Sequence, residues 1–144
     1  MIQLLTHTLF WNHMSKIIAQ LWLEESTRSA NALDLKAHMN LISKRVALTG
    51  VPGFDNIAYA GWHAQCEHEF STKQLKCVTY QGFKLIVETE SRVMFKTHET
   101  VEGVDGKINA QGVEMLLEKE ADGVWRLIQE RVLPAEETAH DKLI

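Results

Sequence analysis

Residues 61–70, GWHAQCEHEF, crowd two histidines, a cysteine and two glutamates into one short segment. Those residue types ligate metals and move protons. Two histidines four apart on a helix face together and can chelate one ion. His63 and His68 are five apart, and at 100° per residue their imidazoles diverge by about 140°. The same wheel gathers Trp62, Cys66 and Phe70 into one arc, so the segment is expected to be a helix burying that stripe against a sheet. No metal site is expected. His63, at the edge of the stripe, is the member placed to reach a pocket. Cys66 and Cys77 are the only cysteines and form no C-x-x-C pair, so they read as two buried thiols.

The other acid–base candidates depend on how the second half of the chain is laid out. From residue 74 the composition turns to Val, Thr, Phe, Tyr and Ile, with turn signals at Glu90-Ser91, Gly103 to Gly106, and Ala121-Asp122-Gly123, so a meander of long antiparallel strands is expected. Pairing Thr97 with Val113, and Val113 with Arg131, gives complete rows on both faces. One face carries Val93, Leu117 and Leu127, then Phe95, Met115 and Gln129, then Thr97, Val113 and Arg131, then Glu99 beside Gln111. The other carries Met94, Leu116 and Ile128, then Lys96, Glu114 and Glu130, then His98, Gly112 and Val132. Such cross-strand pairs contribute ~0.2–1 kcal/mol each. The preceding strand, residues 80–89, has no secure register, because Gly82 reads as a bulge.

Upstream, residues 8–23 set Phe10, Trp11, Met14, Ile17, Ile18, Leu21 and Trp22 in one apolar arc, an amphipathic first helix. EESTRSAN, residues 24–31, reads as a break. Leu35, Met39 and Ile42 stripe a second helix, and RVALT, residues 45–49, a short strand. A Gly/Pro/Asp/Asn loop leads to the helix of the opening segment.

At 144 residues, 45% hydrophobic and 24% charged, the chain fits one domain, here residues 1–134, with residues 135–144 as a polar, frayed tail. A domain of this size buries roughly 70% of the surface of its unfolded chain. The net charge of −4 and scattered Lys and Arg argue against nucleic acid. No basic leader and no apolar run of membrane-spanning length is present, so the expectation is a cytoplasmic protein without a membrane partner.

Three helices, a short strand, a Gly/Pro loop, a helix from Gly61 and four strands ending in DGVWRLIQERVLP resemble the nuclear transport factor 2-like superfamily, shared with ketosteroid isomerases and polyketide cyclases. The run LDLKAHMNLISKRVALTG and the D-G-x-W-R close carry the resemblance. It implies an α+β fold in which three N-terminal helices pack on a curved, mainly antiparallel sheet to form a cone-shaped α+β barrel. It also implies a homodimer through the outer sheet face, here Met94, Leu116 and Ile128, whose apolar area is large for a solvated face. In the ketosteroid isomerase branch a carboxylate base ends the first strand and a second acid sits on the penultimate strand. Gly50 and Met115 occupy those places, which excludes that activity. An epoxide-hydrolase-like acid and arginine network is only partly available.

On the expected register the apolar rows fill the closed end of the cone. Thr97, Glu99, Gln111, Gln129 and Arg131 gather at the open end, joined by His63, as the ligand-binding candidates. Arg131 would orient a carbonyl or carboxylate while Glu99 acts as base or counter-ion. The competing reading is a structural Glu99–Arg131 ion pair. His13, beside the apolar arc of the first helix, is the other candidate base. His7, His38 and His140 have no assigned partner, and Trp125, opposite Lys119, plugs the narrow end. Three functions fit. The first is a cofactor-free binding domain for a small, largely apolar molecule with a polar end. The others are a cofactor-free isomerase, dehydratase or cyclase, and a dimeric interaction module whose cone is filled by its own side chains.

Overall fold

A computed structural model describes the backbone of residues 2–144 and the side chains from residue 14 onward. His7, Phe10, Trp11 and His13 therefore lie outside the described side chains. The elements run α1 (Ile2–Asn31), α2 (Leu35–Met39), β1 (Ile42–Thr49), α3 (Tyr59–Ser71), β2 (Leu75–Glu88), β3 (Arg92–Gly103), β4 (Ile108–Lys119), β5 (Trp125–Val132) and α4 (Ala135–His140). The five strands form one curved, unclosed sheet in the order β1-β5-β4-β3-β2, with β1 parallel to β5 and every other pair antiparallel. Helices α1 to α3 pack on its concave face, the expected α+β arrangement. Among the described residues no helix is long and apolar enough to cross a membrane.

EESTRSAN is helical, not a break. Its small residues are what the helix needs. Ser15, Ala19, Trp22, Ser26, Ser29 and Ala30 form the buried stripe, and short side chains let a long helix lie close to the sheet. Ser29 satisfies its hydroxyl within the helix by donating to the Glu25 carbonyl at 2.8 Å. Leu21, placed in the apolar arc by the wheel, is 59% exposed. The Trp22 indole donates to the Leu41 carbonyl at 3.1 Å and joins α1 to the start of β1. That strand begins at Ile42, three residues before its expected start, and α2 is a single turn closed by Asp34 accepting from the Ala37 N–H at 3.1 Å.

The β3–β4 register is the expected one along its whole length, from Val93↔Leu117 to Glu99↔Gln111. The β4–β5 register is not. Leu117 pairs with Leu127, but a bulge follows and Leu116 pairs with Gln129, Met115 with Glu130, Glu114 with Arg131 and Val113 with Val132. One extra residue in β5 reverses the facing of everything beyond it. Glu130 and Val132 therefore look into the cone, whereas Gln129 and Arg131 look outward. Gly82 does mark a bulge, with φ +77° and a register shift between Gln81 and Lys84.

Val93, Phe95, Val113, Met115, Leu117 and Leu127 are essentially inaccessible and fill the narrow end. Each large side chain so buried contributes ~1.5–3 kcal/mol. Trp125 pairs with Lys119 and packs against this cluster.

The tail is not frayed. Helix α4 lies on the outer face, with Thr138 and Leu143 buried. Asp141 accepts from Lys84 at 2.6 Å and Lys96 at 2.7 Å, and Glu137 accepts from Arg131 at 2.8 Å. The two lysines hold the Asp141 carboxyl down at about 2.

Candidate functional site

Beyond the packed end the cone opens into a cavity of about 600 Å³. Helix α3 and the 51–58 loop form one side, and the inner faces of β2 to β5 form the other. Trp22, Phe54, Trp62 and Phe70 line it with aromatic surface, as the Trp62–Cys66–Phe70 stripe requires. Burial pushes the Cys66 thiol up to about 12, so it is a packing group and not a nucleophile. Among the described residues no group of three or more His, Cys, Asp or Glu is arranged to hold a metal ion.

Four polar groups of the wall lie together on the sheet. Glu99 on β3 and Gln111 on β4 are directly paired neighbours. Glu130 on β5 and Tyr80 on β2 flank them, and the Tyr80 hydroxyl lies 3.2 Å from the Ser26 hydroxyl on α1. Tyr80 is registered opposite Glu99, so the row reads Tyr80, Glu99, Gln111 across three strands. Burial raises the Glu99 carboxyl, while donors from Tyr80 and Gln111 pull it back down. Glu130 is only 5% exposed. Burial, and then the negative charge of Glu99, drive its carboxyl well above the ordinary range. Burial does the same to the Tyr80 phenol, with Glu99 adding to the shift. Burial thus favours the protonated form of both Glu130 and Tyr80 in this wall.

His38 also lines the cavity. Its Nδ1 lies 2.9 Å from the Ser29 hydroxyl. The Ser29 hydroxyl also reaches the Glu25 carbonyl at 2.8 Å and the Ser26 carbonyl at 3.2 Å, so it ties the imidazole to the last turns of α1. Burial lowers the imidazole, with the Ser26 backbone acting against it.

The structure thus brings Glu99 and Gln111 into the cavity wall and leaves the other expected site residues elsewhere. Arg131 and Gln129 are on the outer face, because of the β5 bulge. There Arg131 pairs with Glu114 at 3.1 Å and Glu137 at 2.8 Å, so no Glu99–Arg131 ion pair forms. His63 lies on the far side of α3, 3.6 Å from Glu67, and borders a separate groove beside Tyr59 and Arg126. Thr97 is fully buried short of the cavity, where its hydroxyl donates to the Gly82 carbonyl at 2.7 Å and closes the bulge. Thr97→Val should therefore cost about 1–3 kcal/mol by stranding that carbonyl. Denaturant unfolding measures the loss, and ligand affinity should not change.

Tyr80, Glu130 and His38 were missed. Tyr80 lay on the strand whose register Gly82 obscured. The signal for Glu130 was present in the charges, since the expected outer row set Glu114 beside Glu130, two like charges, where the observed row sets Glu114 beside Arg131. His38 needed the knowledge that α1 continues through Ser29.

No protein-family model matches the sequence, and neither does any curated protein. Solved structures do match in fold. A Novosphingobium aromaticivorans protein with a provisional scytalone dehydratase assignment superposes with TM-score 0.69 at 8% identity, over 86% of this chain and 86% of its own. A Shewanella oneidensis NTF-2-like protein of unknown function gives 0.68 at 14%, over 81% and 97%. ActVI-ORFA from Streptomyces coelicolor gives 0.65 at 12%, over 84% and 97%. At these identities the likeness concerns the backbone alone, and with the helices, sheet and cone described above it places the chain in the nuclear transport factor 2-like fold.

Proposed function

We propose that the chain binds a small, largely apolar molecule inside the cone, with the molecule's polar end against Glu99, Gln111, Glu130 and Tyr80. The observation that carries this reading is one cavity of about 600 Å³, within the ~300–1,000 Å³ of small-molecule sites, with aromatic walls and one polar cluster. An interaction module with a filled cone would have no such space. Val51→Trp, on the bordering loop, places an indole in the cavity. It should weaken a ligand found by native mass spectrometry of the purified protein at least roughly tenfold, as expected when a bound group loses its pocket. Unchanged affinity would sink the reading.

A second reading is cofactor-free proton-transfer catalysis, as an isomerase, dehydratase or cyclase. What favours it is an imidazole on His38 that burial lowers and a carboxyl on Glu130 that burial raises, bordering one cavity as candidate base and candidate acid. His38 replaces His13 as the base in this scheme. Turnover lost in both His38→Gln and Glu130→Gln, with ligand still bound, distinguishes it from simple binding.

The outer face forms a homodimer in this reading. Helix α4 covers only one part of it. Beside that part, Val87, Met94 and Leu116 pair in one row with Ile128 next to them, and Val87 is 53% exposed. Ionic rows border it on both sides, Arg92 with Glu118 and Lys96 with Glu137 and Asp141. Sedimentation should give a dimer that Leu116→Glu converts to monomer, whereas a concentration-independent wild-type monomer refutes the interface.

A further inference from the structure

The charge balance of the cavity is one-sided. Three glutamates border it, Glu69, Glu99 and Glu130, and no lysine or arginine does. The described cationic side chains nearest in chain order are committed elsewhere: Arg131 to Glu114 and Glu137, Lys96 to Glu137 and Asp141, and Arg126 to Glu120 and Asp122. Glu99 at least has donors in Tyr80 and Gln111. Glu130 does not. It is 5% exposed and lines the cavity, and its carboxyl has no hydrogen bond or salt bridge to the described residues; since no fully buried side-chain oxygen among them lacks a partner, its oxygens open onto the cavity. A carboxyl that faces the cavity beside a second carboxyl, with no donor or counter-ion among the described residues, is completed by a donor-rich positive charge.

We propose that the polar end of the ligand is a cation, a protonated amine carried on an apolar or aromatic body, seated between Glu99 and Glu130 in the position a lysine or arginine would otherwise fill. The assignment rests on the cavity being a ligand site and names the class of ligand it takes. Three features support it. An ammonium group carries up to three N–H donors, enough to serve Glu99 and Glu130 at once, whereas a carbonyl only accepts and brings no donor to either carboxyl. The aromatic rings of Trp22, Trp62 and Tyr80 border the same space and offer π-faces to a cation. A carboxylate ligand, in contrast, would meet three acids and no lysine or arginine.

The test is a matched series of one ring system with three ends, tryptamine, tryptophol and indole acetate, titrated calorimetrically into the full chain at neutral pH. The expected order is tryptamine at least roughly tenfold tighter than tryptophol, the ordinary scale for one charge-assisted bond, with indole acetate weakest. Glu130→Gln should remove most of the tryptamine advantage, lowering tryptamine affinity far more than tryptophol affinity. A thermal melt on the variant confirms that it is folded. Tryptophol binding as tightly as tryptamine overturns the cation assignment and leaves the apolar ligand site standing. A tryptamine preference that survives Glu130→Gln also overturns it, because the charge is then read elsewhere. Absence of binding by all three overturns the assignment together with the ligand site on which it rests.

Discussion

Glu130→Gln should make the unliganded protein more stable at neutral pH, by about 1–3 kcal/mol, the ordinary penalty for an uncompensated buried polar or charged group. Each kcal/mol corresponds to a rise in Tm of roughly 2–4 °C in a chain of this size. The sign with pH follows from the direction of the shift. The folded Glu130 carboxyl sits well above its ordinary 4.5, so between that value and its folded pKa the native state holds a proton that the unfolded state has released. Stability then falls as pH rises through this window. Wild type and Glu130→Gln should therefore be close in stability below about pH 4.5, near the unfolded pKa, and separate as pH increases. Glu102, Glu137 and Asp141 are shifted the other way, downward by lysine and arginine partners, and their acid-side losses cancel in the difference between the two proteins. Urea unfolding at several pH values measures the divergence, and a constant offset would contradict it. Glu99→Gln should gain less, because Glu99 accepts from Tyr80 and Gln111 and its loss strands them. The two variants together should fall short of their sum, since removing either carboxyl relieves the other. A side chain that weakens the empty protein and faces a cavity is what a binding group looks like before its ligand arrives.

How far this site was visible beforehand depended on one strand. The β3–β4 pairing could be read because both strands are long, regular and joined by a glycine-bounded turn, so a single register satisfied every row from Val93 to Glu99. Glu99 and Gln111 were placed in the cavity wall for that reason. Strand β5 is shorter, and its bulge falls between Leu127 and Gln129, where no glycine or proline marks it. The hydrophobic rows were equally satisfied with Leu117 against Leu127 in either case, and Lys96 found Glu114 in either case. Beyond the bulge every β5 partner moves by one, and the charged row shows it most plainly, with Glu130 in one register and Arg131 in the other. Helix α1 was cut short for a related reason. Ser26, Ser29 and Ala30 read as a polar break when their neighbours are unknown, yet small residues are what a helix needs where it crosses close to a sheet. The tail was read as solvated because its glutamates and aspartate are polar. It is instead held by them, since Lys84, Lys96 and Arg131 stand in the facing rows of the outer sheet.

That attachment can be broken at one atom. Gly112 on β4 faces outward, and a Cβ there would lie 2.2 Å from the Thr138 hydroxyl and 3.0 Å from its methyl carbon. Gly112→Leu should therefore drive α4 off the sheet, with an overpacking cost of about 1–3 kcal/mol. Lifting the helix also separates Asp141 from Lys84 and Lys96, and Glu137 from Arg131, so the effect should spread to ionic contacts that Gly112 does not touch. Hydrogen exchange over residues 135–143 should accelerate towards the unprotected rate. The packed end of the cone should stay protected, because Val113, the next residue, points the other way into the core. The decisive comparison is the same substitution in a chain ending at Leu133. If the penalty arises from Thr138, Gly112→Leu there should cost much less, and the shortfall is the coupling between strand and tail. An equal cost in both chains would mean that the leucine disturbs the sheet itself and that α4 is not seated on Gly112. The face exposed by the lifted helix adjoins the Val87, Met94 and Leu116 row. Its occupancy therefore sets how much of the outer sheet remains for a second copy of the chain.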